Sequence, residues 1–254
     1  MLRLIQCEFL KLKRLKFVQA TLALAVLFPF VLTAYVFSDG NGFEMLYRFV
    51  FLYSDLLFKP CILGILGVML LSAEQDSDTF KNILTIPVSK RKLFYAKLFL
   101  LLCLSVAYSA IELLATALGG TVLGGGQGIS IYLRCSLVAG IMSFFDALPL
   151  VLLFCLLRRS KVFAMLSSLF YAIAGFLLVN SYASGMSVSI GIVPFLPRIV
   201  IFRWFLHLFS LEQNSASLLI PGLPVGEAFL ILFCMGAVMA AVASALYGRK
   251  EAAR

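Results

Sequence analysis

Charge is scarce in this sequence: only 13% of its 254 residues are Asp, Glu, Lys or Arg, whereas 62% are apolar, and the mean hydropathy is +1.04. Soluble globular domains hold their apolar content near half, so a soluble domain is excluded. Histidine occurs once, as His207. A metal centre or a proton relay needs companions that one histidine lacks, and an intramembrane enzyme needs a nucleophile or metal set at mid-depth. The six cysteines (Cys7, Cys61, Cys103, Cys135, Cys155 and Cys234) show no short pair spacing, and most sit inside apolar runs as small hydrophobes. They imply neither a metal cluster nor a disulfide framework. No G-x-x-x-x-G-K-[ST] stretch occurs either, so no ATP-hydrolysing site is expected in this chain. The glycine-rich segment from Gly119 to Ser130 resembles a phosphate loop in composition alone and reads as a flexible external turn.

What the sequence has in abundance is long apolar runs: Phe17 to Phe37, Phe51 to Ala73, Ala96 to Leu118, Ile131 to Leu157, Val162 to Asn180 and Glu227 to Tyr247. Each reaches or approaches the ~20 residues that a spanning helix needs. The expected fold is an all-α integral membrane protein of six transmembrane helices, one domain over residues 1–254. The first run follows a basic segment as a signal peptide would, but its length and the lack of a small-residue cleavage site read as a retained anchor.

The basic residues orient this arrangement, because short loops rich in Lys and Arg stay in the cytoplasm. Sixteen of the 21 fall in four clusters: Arg3, Lys11, Lys13, Arg14 and Lys16; Lys81, Lys90, Arg91, Lys92 and Lys97; Arg158, Arg159 and Lys161; Arg249, Lys250 and Arg254. Only Arg48, Arg198 and Arg203 lie on the other side, with Lys59 and Arg134 inside runs. Both termini are therefore expected in the cytoplasm of a multi-pass cell-membrane protein. The net charge of +9 flanks membrane segments and faces anionic lipid, which argues against nucleic acid as a partner.

Three polar segments carry further structure. In residues 1–16, Leu2, Ile5, Phe9, Leu12 and Leu15 recur at helical spacing among lysines, which suits an interfacial helix on the cytoplasmic lipid surface or a basic flank of the first anchor. In the loop 74–95, Asp78 or Thr79 can cap a short helix carrying Phe80, Ile83 and Leu84, and Pro87 stops it. The segment 181–226 mixes polar and apolar stretches and is expected to form helices on or dipping into the outer surface, with Trp204 and His207 at the interface.

Charges inside the runs are the candidate functional residues, since each costs about 2.5–3.5 kcal/mol at the bilayer centre. Asp55 and Lys59, four apart in the outer half of the second crossing, can neutralise one another. Glu112 and Arg134, on consecutive helices near the outer side, are expected to meet. Asp146, followed by Pro149, has no obvious partner and reads either as a functional carboxylate or as a packing residue.

The run Glu74-Gln-Asp-Ser-Asp-Thr-Phe-Lys-Asn-Ile-Leu-Thr-Ile-Pro-Val-Ser-Lys-Arg-Lys-Leu-Phe-Tyr-Ala-Lys97 resembles the first cytoplasmic loop of type 2 ABC transporter permeases. Glu74, Thr79, Leu84, Pro87, Ser89, Lys90 and Lys97 match that family's pattern, and Asp78 stands where a glycine is usual. The length and the Cys7-Glu-Phe-Leu-Lys-Leu-Lys-Arg14 opening resemble the bacterial permeases of antimicrobial-peptide efflux and immunity, such as those for lantibiotics and bacitracin. The resemblance implies that Glu74, Asp78, Thr79, Phe80, Leu84 and Pro87 form a coupling helix that docks on a separate ATP-binding subunit. It also implies that two permeases, identical or sister chains, pair around the path, and that ATP and Mg belong to the partner subunit, with no cofactor in this chain. The apolar, aromatic stretch from Pro194 to Phe209 suits an amphipathic or hydrophobic cargo. The competing expectation is an ion- or proton-coupled secondary transporter using Asp146 and Glu112.

Overall fold

A computed structural model describes residues 2–13, 15–76, 90–124, 129–157, 161–184, 191–213 and 222–252. All regular structure among them is helical, and six helices are long and apolar enough to cross a membrane. The fold is therefore all-α with six candidate crossings, as the run lengths predict.

The chain begins with α1 (Leu2–Lys13), separated by a short break from the first crossing, α2 (Lys16–Ser38). On α1 the inward side is Ile5, Glu8 and Leu12, spaced three and four apart, while Phe9 and Leu10 are exposed. The apolar face thus splits: Ile5, Leu12 and Leu15 join the core, and Phe9 turns away from it. Glu8 is buried beneath Lys11, whose ammonium it meets at 2.5 Å.

The second crossing spans Phe43–Ser72 and starts earlier than its apolar run, because Glu44 and Arg48 pair four residues apart and let the helix begin in polar sequence. It consists of α3 (Phe43–Phe49), a π-helical segment (Val50–Phe58) and α4 (Lys59–Asp76). Asp55 and Lys59 fall near the middle of this helical stretch.

The third crossing, α5 (Lys90–Val122), runs past its expected end at Leu118. Gly119 and Gly120 are helical, and the helix there packs so closely that a Cβ at either would strike Thr33 of α2 or the Phe43 ring of α3. Gly124, at φ +70, is where the backbone leaves the helix in a conformation that L side chains resist. The helix thus takes in the first part of the expected turn, and residues 125–128 lie outside the described residues.

The remaining helices are α6 (Ile129–Leu157), α7 (Lys161–Ala183), α8 (Pro197–Gln213) and α9 (Val225–Ala252). Burial sorts the crossings into two groups: the second, third and fourth are 56–61% buried, and the first, fifth and sixth 22–28%. The three central helices approach closely through small residues, as lipid-embedded helices do where no hydrophobic effect drives them together. Between α5 and α6, Ser105 Oγ donates to the Gly140 carbonyl at 2.6 Å and Ser136 Oγ to the Ser109 carbonyl at 2.8 Å. Between α4 and α7, Gly64 lies against Ser168.

Of the long segment before the last crossing, α8 packs into the helical core. In α8, Ile199, Val200, Ile201, Phe202, Trp204 and Phe205 are buried, and the helix packs on α6, α7 and α9. Trp204, expected at the membrane interface, is 1% exposed in a core cluster with Phe51, and Phe205 stacks on Phe51 with centroids 3.6 Å apart.

Candidate functional site

Two buried charge networks each join helices that sequence separates. The first is built on the π-helical segment. Its i→i+5 hydrogen bonding brings residues five apart to one side of the helix, which an α-helix does not, and so Ser54 and Lys59 both reach Glu112 of α5. Ser54 Oγ donates to Glu112 Oε1 at 2.7 Å, and Lys59 Nζ lies 2.7 Å from Glu112 Oε2. Lys59 also forms an ion pair with Asp55 and donates to Ser109 Oγ at 2.7 Å. Exposure is 1% for Lys59, 5% for Glu112 and 9% for Asp55, so the group is buried.

The structure brings Asp55 and Lys59 together, as their spacing predicts, but corrects the partner of Glu112. Glu112 faces the second crossing and pairs with Lys59, while Arg134 is exposed. The physical reason is the α5–α6 contact itself. Serine hydroxyls and Gly140 occupy the facing surfaces, which fixes the rotation of both helices and leaves Arg134 on the outside.

The second network supplies the partner that Asp146 lacked in sequence. Arg198, the second residue of α8, is 3% exposed. Its Nε and Nη2 donate to Asp146 Oδ2 at 3.0 and 2.8 Å. Nη1 donates to the carbonyls of Tyr171 and Ala172 at 3.2 and 2.8 Å. Tyr171 donates its hydroxyl to Asp146 Oδ1 at 2.8 Å, and its ring lies 4.7 Å from the guanidinium carbon. The guanidinium fits because residue 175 is glycine: a Cβ there would fall on Arg198. One cation and one carboxylate, with their hydrogen bonds nearly all satisfied, tie α8 to α6 and α7. Loop counting assigned Arg198 to the outer side but not to a partner; the signal that could have found its burial is its place ahead of the apolar run Ile199–Phe202.

A third contact flanks the loop between the second and third crossings. Lys97 is 1% exposed and donates to the Leu70 carbonyl at 2.7 Å, joining the start of α5 to α4. These two helices frame residues 77–89, and those residues, with Asp78, Thr79, Phe80, Leu84 and Pro87, lie outside the described residues. Glu74 falls within α4. Among the described residues, no His, Cys, Asp and Glu group is arranged to hold a metal ion.

The family model for the ABC-2 family transporter protein matches residues 4–175, which takes in the first four crossings, most of the fifth and the loop between the second and third. The chain belongs to that family, and is thus a multi-pass permease of the ABC type; membership implies partnership with an ATP-binding subunit. No match was found among curated proteins or among solved structures.

Proposed function

We propose that this chain is the membrane subunit of an ABC exporter that moves an amphipathic or hydrophobic substrate, energised by ATP hydrolysed, with Mg, on a separate subunit. The family match over residues 4–175 carries the reading. In it, residues 74–95 dock on the ATP-binding subunit with Phe80 and Leu84 as apolar anchors, and both termini face the cytoplasm. A second permease, identical or sister, completes the path. The Lys97–Leu70 contact supports the coupling step, since it makes the second and third crossings move as one body when the segment between them is pushed.

Cargo class is supported by what the spans leave free. Asp55, Lys59, Glu112, Asp146 and Arg198 are engaged with one another, so they do not converge on a hydrophilic solute. The buried position of α8 removes its aromatic face from the list of cargo contacts. Within the class, the opening Cys7-Glu-Phe-Leu-Lys-Leu-Lys-Arg14 favours an antimicrobial peptide of the lantibiotic or bacitracin kind.

The test is the minimal inhibitory concentration of lantibiotics, bacitracin and small hydrophilic drugs in bacteria expressing this chain with its cognate ATPase and any sister permease. Protection against the peptides is expected. Protection confined to the hydrophilic drugs would refute the cargo class.

A further inference from the structure

The second crossing changes character along its length. Its leading part, α3 with the π-helical segment, carries Phe43, Tyr47, Phe49, Phe51, Tyr53 and Phe58, whereas α4 carries no aromatic residue. Rings lock the leading part in place: Tyr132 of α6 meets Phe43 and Tyr47 at centroid distances of 5.1 and 4.7 Å, and Phe205 of α8 stacks on Phe51 at 3.6 Å. α4 approaches α6 and α7 at Gly64, which lies against Leu150 and Ser168, and α6 again at Gly67, which lies against Val151. Helices that meet at small residues slide with little to disengage, which interlocked rings do not allow.

Between the two parts the backbone ladder is interrupted. The Lys59 N–H donates to the Ser54 carbonyl, five residues back, and the next residue, Pro60, has no N–H to donate. π-helical turns and prolines are two of the usual places where a helix bends, and here they adjoin. A clasp from the third crossing grips the same spot. Ser54 and Lys59 each hold Glu112 of α5 at 2.7 Å, and Lys59 also holds Ser109. Residues five apart stand about 140° apart around an α-helix of 3.6 residues per turn, so in an α-helical segment one of the two would turn away from α5. The clasp therefore selects the π-helical form.

We propose that Val50–Pro60 is a joint at which α4 swings against a fixed leading part, and that Glu112, gripping Ser54 and Lys59, is the latch that holds the joint in the form seen here. This rests on the exporter reading above, in which the loop between the second and third crossings is pushed by an ATP-binding subunit. Lys97 ties the start of α5 to Leu70 of α4, so the push reaches α4 beyond the joint, and release of the latch lets α4 move while the ring contacts stay in place. A swing of about 20° on the ~15 Å from Lys59 to Met69 carries Met69 about 5 Å.

The experiment is pulsed electron paramagnetic resonance on the full chain in lipid nanodiscs, with the native cysteines replaced and two pairs of spin labels. One pair, at Met69 and Val242, runs from α4 to α9; the other, at Met45 and Phe233, runs from the leading part to the same helix. Glu112→Gln is expected to add a second Met69–Val242 distance about 5 Å from the first, with the Met45–Phe233 distance unmoved. Ser54→Ala, which leaves Lys59 both of its carboxylates, is expected to do the same and decides the matter if Glu112→Gln fails to fold. Pro60→Ala added to either restores the missing donor and is expected to remove the second distance. With the cognate ATP-binding subunit present, ATP is expected to populate that distance in the wild type. Both pairs moving together, neither pair moving in either variant, a second distance that survives Pro60→Ala, or ATP-driven peptide transport with the Met69–Val242 distance fixed would each overturn the proposal. A second distance that appears in the variants but that ATP does not reach keeps the joint and refutes the exporter reading instead.

Discussion

At Asp146, loss of the guanidinium would strand a carboxylate that is 1% exposed. Arg198→Met is therefore expected to cost about 3–5 kcal/mol, and Asp146→Asn combined with it to recover much of the loss, because a lone buried charge is worse than none. Thermal unfolding of the purified chain in detergent reads both, with Arg134→Gln as an exposed control expected within about 0.5 kcal/mol of the wild type. A double variant no more stable than Arg198→Met would break the pairing. Residue by residue, sequence revealed only part of this chemistry. Asp55 and Lys59 were legible because four residues along one helix fix their relation locally. Glu112 and Asp146 were identified as buried charges, but their partners were not, since partner choice depends on how helices are rotated against one another. Asp146 and Arg198 are 52 residues apart, and no spacing rule reaches that far.

Between elements, the α5–α6 contact sets those rotations. Gly140 lies against Ser109 and the backbone of Val106, so Gly140→Leu is expected to force the helices apart and destabilise the chain by about 1–3 kcal/mol. It should also loosen the Glu112 contacts, because Ser109 bonds to Lys59. Crosslinking between cysteines introduced on α5 and α6 checks this, and unchanged crosslinking with unchanged stability would count against a glycine-set approach. The elements themselves were legible where composition decides them: six apolar runs gave six crossings. Boundaries moved at Gly119 and Gly120, which are turn formers by composition but lie in the helix, where the close approach of Thr33 and Phe43 leaves no room for a Cβ. The same holds for α8. Its Trp204 and phenylalanines read as interfacial rings, yet Arg198 anchors the helix to α6 and α7, and those rings pack into the core.

For the molecule as a whole, orientation rests on the asymmetry of basic residues across the loops. Single cysteines at Ser89 and Ser160, in a cysteine-free background, are expected to be shielded from a membrane-impermeant thiol reagent in intact cells, and ones at Gly126 and Ser215 to react. Labelling of Ser89 from outside would invert the topology and detach the coupling segment from any cytoplasmic ATPase.

Energy supply is the claim on which the rest depends, and transport of a fluorescent amphipathic peptide tests it most directly. The system is proteoliposomes holding this chain, its cognate ATP-binding subunit and any sister permease. ATP-dependent transport is predicted with the intact subunit, together with its loss when that subunit cannot hydrolyse ATP and again when Leu84→Asp removes the docking anchor. Transport that continues at the same rate with the inactive ATPase would contradict the ATP-driven permease.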